Sequence, residues 1–282
     1  MGKKIKVVLS GSGTRYPVHL GGLIRLVEEG YEVSEICGTS GGSIVATGVA
    51  LGYDIKSELP GMMIDLLPSK TGALKYSLIS LFLKWGFING DGIEKLFSKF
   101  TNGKLLGDTK IPLHIVTTNL DRQVMRVFSS ETDPKMCIAK AVRASVSIPG
   151  VFTPVMIDKE MYVDGGLVGN YLIDRFGYDD DVFGFRFEDI LPVTSYKEAS
   201  YKKITNFREY LSANVDSIMN ANAREHIEDA LFARTITMRT RHDGLNFKMT
   251  EKDVEEMISD GYDSVDFWLT KGRGSDEKQV QG

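Results

Sequence analysis

Apolar positions come in short runs punctuated by glycine at the start of the chain. Ile5, Val7, Val8 and Leu9 form one such run, closed by Gly11-Ser12-Gly13-Thr14-Arg15. A run of that length ending in glycines predicts a buried parallel strand opening into a loop. Pro17 suits the first turn of a helix, and His19, Leu20, Leu23, Ile24, Leu26 and Val27 recur at helical spacing until Gly30. A second strand is expected over Val33–Cys37, then the turn Gly38-Thr39-Ser40-Gly41-Gly42, then a small-residue helix from Ser43 to Leu51. Strand, helix, strand, helix in that order predicts an α/β sheet with covering helices.

The rhythm lapses between about Asp54 and Gly107, where methionines and leucines predict a helical cap insertion. Strands resume at Ile111–Thr118 and Gln123–Phe128, and a helix is expected over Lys135–Val146. Val155–Ile157 and Met161–Val163 flank Asp158-Lys159-Glu160 as a hairpin, and Val182–Phe187 and Thr235–Arg241 are further strands. Thr250 and Asp253 open the last helix as a capping box. The expected organisation is one domain over residues 1–271, with 54–107 as the cap within it and 272–282 as a flexible tail lacking any apolar anchor.

Composition narrows the class. At 282 residues, 42% of them hydrophobic, the chain is neither disordered nor short of core. A net charge of −4 argues against a dedicated nucleic-acid surface. Cys37 and Cys137 cannot build a disulfide framework, which points to a reducing compartment. Val7-Val8-Leu9 is too short for a signal-peptide core, and no stretch approaches about 20 apolar residues. A cytoplasmic protein, touching a membrane only peripherally, is expected.

The candidate chemistry lies in three glycine-flanked motifs. Gly38-x-Ser40-x-Gly42 between strand and helix is the setting of a nucleophile elbow, where free amides and the helix dipole stabilise a developing oxyanion. Taken alone, it also fits an ordinary turn. The loop Gly11–Arg15 would lie beside it, and two loops at the carboxyl ends of neighbouring parallel strands form a ligand crevice. As a phosphate cradle that loop fails, since Tyr16 occupies the third glycine position of a dinucleotide fingerprint and no Gly-Lys-Ser/Thr follows. Tyr162-Val163-Asp164-Gly165-Gly166 places an aspartate on a strand end, although a plain hairpin turn would read the same way.

In this order, and with Ala144-Ser145-Val146-Ser147-Ile148-Pro149-Gly150-Val151-Phe152 before the aspartate, the motifs resemble those of a patatin-like phospholipase. The resemblance extends over roughly residues 5 to 270. It implies a three-layer α/β/α sandwich with a mainly parallel central sheet. It also implies a serine lipid acyl hydrolase of phospholipase A or lysophospholipase type, using a Ser–Asp dyad and needing neither cofactor nor metal. Carried onto this chain, Ser40 is the nucleophile and Asp164 the base that accepts its proton. Gly11, Ser12, Gly13 and Arg15 are the oxyanion loop, assisted by Gly41. A phospholipid or other acyl-ester lipid is the implied substrate.

Three departures are visible: Ser12 replaces the middle glycine, Tyr16 follows the basic residue where glycine is usual, and Asn170-Tyr171 stands where Asn-Leu-Pro is common. A positive φ at Ser12 would cost about 1 kcal/mol or distort the loop. Among the histidines, His19 is expected to pack beneath the site, His114 lies in a strand and His226 in a polar helix. His242 follows a strand and comes after Asp164, the order a Ser–His triad would require. Asp179-Asp180-Asp181 fits a solvated turn better than a calcium loop. In the cap, Leu74, Leu78, Leu81, Phe82 and Trp85 recur at helical spacing; Leu78, Phe82 and Trp85 are the expected lipid contacts, core packing being the alternative. A soluble short-chain esterase or thioesterase, and a catalytically weak lipid-binding protein, are the competing functions.

Overall fold

The computed structural model describes residues 2–67, 75–76, 85–177, 181–187 and 234–271, with isolated positions 204, 213 and 217. Strand β1 (Lys3–Leu9) leads through a 3-10 turn, Gly13–Arg15, into α1 (Tyr16–Glu28), and β2 (Tyr31–Thr39) returns beside β1 before α2 (Gly41–Ala50). Then follow α3 (Leu59–Asp65), β3 (Lys75–Tyr76), β4 (Gly86–Asn89) and α4 (Asp91–Phe100). The centre of the chain supplies β5 (Leu113–Asn119), β6 (Val124–Ser129), α5 (Ile138–Ser145), β7 (Gly150–Phe152), β8 (Val155–Ile157) and β9 (Glu160–Asp164). After them come β10 (Val182–Phe187), β11 (Thr235–Met238) and α6 (Glu251–Lys271).

The main sheet runs β11-β10-β1-β2-β5-β9-β8, with β6 also paired to β5. From β11 to β5 every pairing is parallel, and β6, β9 and β8 join antiparallel. This is the expected α/β sandwich built on a mainly parallel sheet. Its strands read as continuous apolar runs because both faces are covered. Val7 and Leu9 of β1 enter the large core with α1, α2 and α6, while Val8 packs on the other face with Cys37, Val116, Tyr171 and Ile173.

Helix α6 starts at the expected capping box: Thr250 N donates to Asp253 Oδ2 at 2.7 Å and Asp253 N to Thr250 Oγ1 at 3.3 Å. It then lies against α1 at a distance set by glycine. A methyl on Gly21 would fall 1.9 Å from Ile258 O, and one on Gly261 1.9 Å from Val18 O.

Three elements differ from expectation. Within 54–107, expected to be helical, β4 is a strand that pairs parallel with β7 through Gly86–Gly150 and Ile88–Phe152. Strands this short carry no periodic signal. The pairing is braced by Arg143, which is buried and has no carboxylate partner at hydrogen-bonding distance among the described residues. It donates from Nε to Gly90 O at 3.1 Å and from Nη2 to Thr153 O at 2.7 Å, and also binds Ser147 Oγ. Burial lowers its pKa to about 10. Helix α5 begins only at Ile138, since Cys137 is extended (φ −66°, ψ 121°). Strand β11 stops at Met238 because the chain turns to α6, where Arg239 N donates to Ser264 Oγ at 3.0 Å and Thr240 Oγ1 to Asp260 Oδ2 at 2.7 Å. Leu78, Phe82, Asp179, Asp180, His226 and the tail 272–282 lie outside the described residues.

The α1–α6 contact makes a direct prediction. Gly261→Ala should destabilise the fold by about 2–3 kcal/mol, because a methyl has no room between the helices. Gly61→Ala in α3, where a methyl meets open space, should be neutral or slightly stabilising. Urea denaturation midpoints of the two variants check this.

Candidate active site

Strand β2 ends in a sharp turn whose apex is Ser40, at φ +50° and ψ −126°. The positive φ falls on Ser40 itself, and the glycines supply clearance: a methyl on Gly42 would lie 2.5 Å from Ser10 O. A non-glycine residue keeps such angles only where its surroundings over-determine them. Here Ser40 N donates to Ser145 Oγ at 2.9 Å, Ser145 Oγ donates to Val116 O at 2.7 Å, and Ser43 Oγ donates to Ser40 O at 2.6 Å.

Asp164 closes β9, directly across from Thr117 of β5. Its backbone N donates to Ser147 O at 3.0 Å, and its backbone O accepts from Thr118 Oγ1 at 2.9 Å. The carboxylate is thereby aimed at the turn: Oδ2 accepts from Ser40 Oγ at 2.6 Å and Oδ1 from Gly166 N at 2.8 Å. Both side chains are 1% exposed. Burial pushes the Asp164 carboxyl up to about 7, against the opposing pull of those two hydrogen bonds.

The described histidines have other partners. His19 Nε2 lies 3.0 Å from Ser10 O, and burial drives its pKa down to about 3, so the ring is neutral and donates. His114 Nε2 meets Glu35 Oε1 at 2.8 Å. His242 faces α6, with Nδ1 3.8 Å from Asp253 and Nε2 3.4 Å from Glu256. These three form the only potential metal-ligand group among the described residues. Its two carboxylates face different ring nitrogens, Asp253 towards Nδ1 and Glu256 towards Nε2.

The glycine loop faces Ser40 from β1. Ser12 has φ −137° and ψ −7°, and the positive φ, +57°, falls at Gly13, where a methyl would lie 2.0 Å from Gly244 O. The strain anticipated at Ser12 does not arise. Gly11 N is committed to Asn170 O at 3.0 Å, whereas Ser12 N and Gly13 N have no acceptor among the described residues. Gly41 N, at the first position of α2, has none within its helix. Arg15 braces the loop, with Nε 3.4 Å from Ser12 O and its guanidinium 4.2 Å above the Phe187 ring.

A second brace was not read from the sequence. Thr14 N donates to Gly244 O at 2.7 Å, Thr14 Oγ1 to Asp243 O at 3.1 Å, and Asn246 N to Thr14 Oγ1 at 3.2 Å.

Gly13, Ser40 and Gly41 open into a cavity of about 700 Å³, mouth included. Its walls are apolar, chiefly Ile44, Ile93, Leu96, Phe97, Phe152 and Phe247. Ile93, Leu96 and Phe97 occupy one face of α4 at i, i+3, i+4, a signal present in the sequence but assigned only generally to the cap. Of the three expected lipid contacts, only Trp85 is described; it is 61% exposed and stands outside these walls.

The sequence model of the Patatin-like phospholipase family matches residues 7–176, which include the glycine loop, Ser40 and Asp164. The chain belongs to this family. Membership places it among lipid acyl hydrolases. Its relatives include the uncharacterized protein R571 of Acanthamoeba polyphaga mimivirus, 29% identical over 92% of this chain and 91% of that one. YqhO of Bacillus subtilis, also uncharacterized, is 29% identical over 78% of this chain and 82% of that one. Lysophospholipase NTE1 of Kluyveromyces lactis is 28% identical over 60% of this chain, which spans only 11% of that relative. Among solved structures, VipD from Legionella pneumophila shares the fold, with a TM-score of 0.54 at 17% identity over 94% of this chain and 66% of that one.

The buried carboxyl of this patatin-like chain makes stability depend on pH. An unfolded Asp titrates near 3.8 and the folded Asp164 near 7, so the folded state holds the proton across that interval. The stabilisation is full below about 3.8, declines as pH rises and is gone above about 7. Asp164→Asn keeps a neutral amide able to reach both partners. Its stability relative to wild type should therefore grow from pH 5 to pH 7, at no more than about 1.4 kcal/mol per pH unit. Denaturation midpoints at pH 5, 6, 7 and 8 measure this.

Proposed function

We propose that the protein is a serine hydrolase of glycerolipid acyl esters, of phospholipase A or lysophospholipase type, in which Ser40 is the nucleophile and Asp164 the base. The observation that carries this reading is the buried 2.6 Å hydrogen bond from Ser40 Oγ to Asp164 Oδ2, with Ser40 lining an apolar cavity. Ser40 Oγ bonds to the ester carbonyl carbon as its proton passes to Asp164, and the carbonyl π pair moves onto oxygen. The tetrahedral centre collapses, the carbon–alkoxide bond breaks, and the leaving alcohol takes the proton from Asp164. Water then hydrolyses the acyl-serine by the same proton route.

A carboxylate at its ordinary pKa is a weak base near neutrality, and burial raises that of Asp164 into the useful range. The unspent amides of Ser12, Gly13 and Gly41 receive the oxyanion in this reading, with Arg15 holding the glycine loop. An apolar wall of this extent suits a long acyl chain better than a short one, which favours a lipid over a soluble ester. No helix among the described residues is long and apolar enough to cross a membrane. Trp85, exposed beside β4, suits peripheral contact with a lipid interface. The Kluyveromyces lactis relative is a lysophospholipase, which supports this substrate class.

Incubation with a fluorophosphonate probe and with phospholipid vesicles tests the assignment. Wild type should be labelled and should release fatty acid more readily than it cleaves a soluble p-nitrophenyl ester, with activity surviving EDTA. Ser40→Ala should abolish both labelling and hydrolysis. Asp164→Asn should lower the catalytic rate by at least about 100-fold, and His242→Ala should retain most of it. Labelling at another serine, or the reverse ranking of Asp164 and His242, contradicts the reading.

A further inference from the structure

We propose that Ser12 is a further catalytic residue, its hydroxyl donating a hydrogen bond to the oxyanion formed when Ser40 attacks the ester. The inference rests on the Ser40 chemistry above and adds a side-chain donor to the backbone amides.

Ser12 is 2% exposed, and its Oγ has no hydrogen-bond partner among the described residues. A buried hydroxyl left unpaired destabilises a fold, so such a group needs a reason. Local structure supplies none. Ser12 is the N-cap of the 3-10 turn Gly13–Arg15, where a serine normally accepts from a nearby amide, yet its side chain makes no such bond. Its backbone angles need no particular residue, so glycine or alanine would fit equally well. Thr47 Oγ1 is also unpaired among the described residues, but it lies inside α2 and does not line the cavity.

The position of the hydroxyl supplies the reason. Ser12 Oγ lies against Gly41, the residue after the nucleophile: a methyl on Gly41 would fall 2.3 Å from this oxygen and 2.3 Å from Gly13 O. Gly13, Ser40 and Gly41 all line the cavity. The hydroxyl therefore lies beside Gly13 and Gly41, whose amides, like that of Ser12 itself, are unspent among the described residues. In the resting protein it has nothing to bind; in the tetrahedral intermediate it does. Ser40 Oγ gains the bond to carbon, Asp164 takes the Ser40 proton, the carbonyl oxygen takes the π pair, and Ser12 keeps its own proton while donating. A donor that gains its acceptor only on the way to the intermediate lowers the barrier without tightening ground-state binding.

The test measures two rates in Ser12→Ala and Ser12→Gly: labelling of Ser40 by a fluorophosphonate, and turnover of a p-nitrophenyl ester. In the labelling reaction a Ser40 Oγ–phosphorus bond forms, fluoride leaves, and charge builds on the phosphoryl oxygen in the same place. Both variants should slow labelling and kcat by about 100-fold, the scale of one oxyanion donor, with KM little changed and the thermal midpoint not lowered. A wild-type rate in either variant overturns the proposal, as does slowing that follows a fall in thermal midpoint. Ser40→Ala in parallel separates the two claims. If it remains active, the assignment of the nucleophile fails; if it is inert while the Ser12 variants are fully active, only the role of Ser12 fails.

Discussion

The hydrogen bond from Ser40 Oγ to Asp164 Oδ2 joins residues 124 positions apart, and much of the surrounding architecture can be understood as holding its two ends in place. Ser40 is offered by β2 and Asp164 by β9, with β5 pairing with both strands. The same framework grips the flanking backbone. Ser145, at the end of α5, accepts from Ser40 N, and two residues later Ser147 O accepts from Asp164 N. One short segment therefore registers both partners. Arg143 binds the Ser147 side chain and anchors that segment to β4 and the cavity wall.

Burial has two consequences that a surface pair would not show. It raises the carboxyl towards neutrality, the range in which the proposed base would accept a proton without an imidazole. It also makes the ionised site costly to the fold, since no cation among the described residues lies within hydrogen-bonding distance of the carboxylate. The positive φ of Ser40 adds to that cost. Stability withheld at the site is offset by a core whose central strands are covered on both faces and by the close packing of α1 on α6.

The parts of this design that were legible in the sequence are those with local signatures. The β1–α1–β2–α2 opening could be read because buried parallel strands are apolar runs and glycines mark their ends. The Thr250–Asp253 cap could be read because its partners are three residues apart. The order of the glycine loop, Ser40 and Asp164 was enough to suggest the site and the family. What escaped were contacts without local pattern. The brace of Thr14 by Asp243 spans 229 positions, and neither residue advertises it. The β4–β7 pairing escaped because both strands are too short for a period to appear. At Ser12 the residue was noticed but the strain was misplaced: the left-handed angle belongs to Gly13, because Gly244 O approaches it closely. Only the assembled fold shows the Ser12 hydroxyl to be buried and unpaired.

The central claim is that a buried carboxylate, with no histidine, controls the reactivity of Ser40. The most direct measurement is the pH dependence of the rate at which a fluorophosphonate labels Ser40. The account predicts a rate that rises with pH through an apparent pKa near 7, the value burial confers on Asp164, then levels off, with the inflection absent in Asp164→Asn and unchanged in His242→Ala. A rate without an inflection near 7, or an inflection that survives in Asp164→Asn, would contradict it.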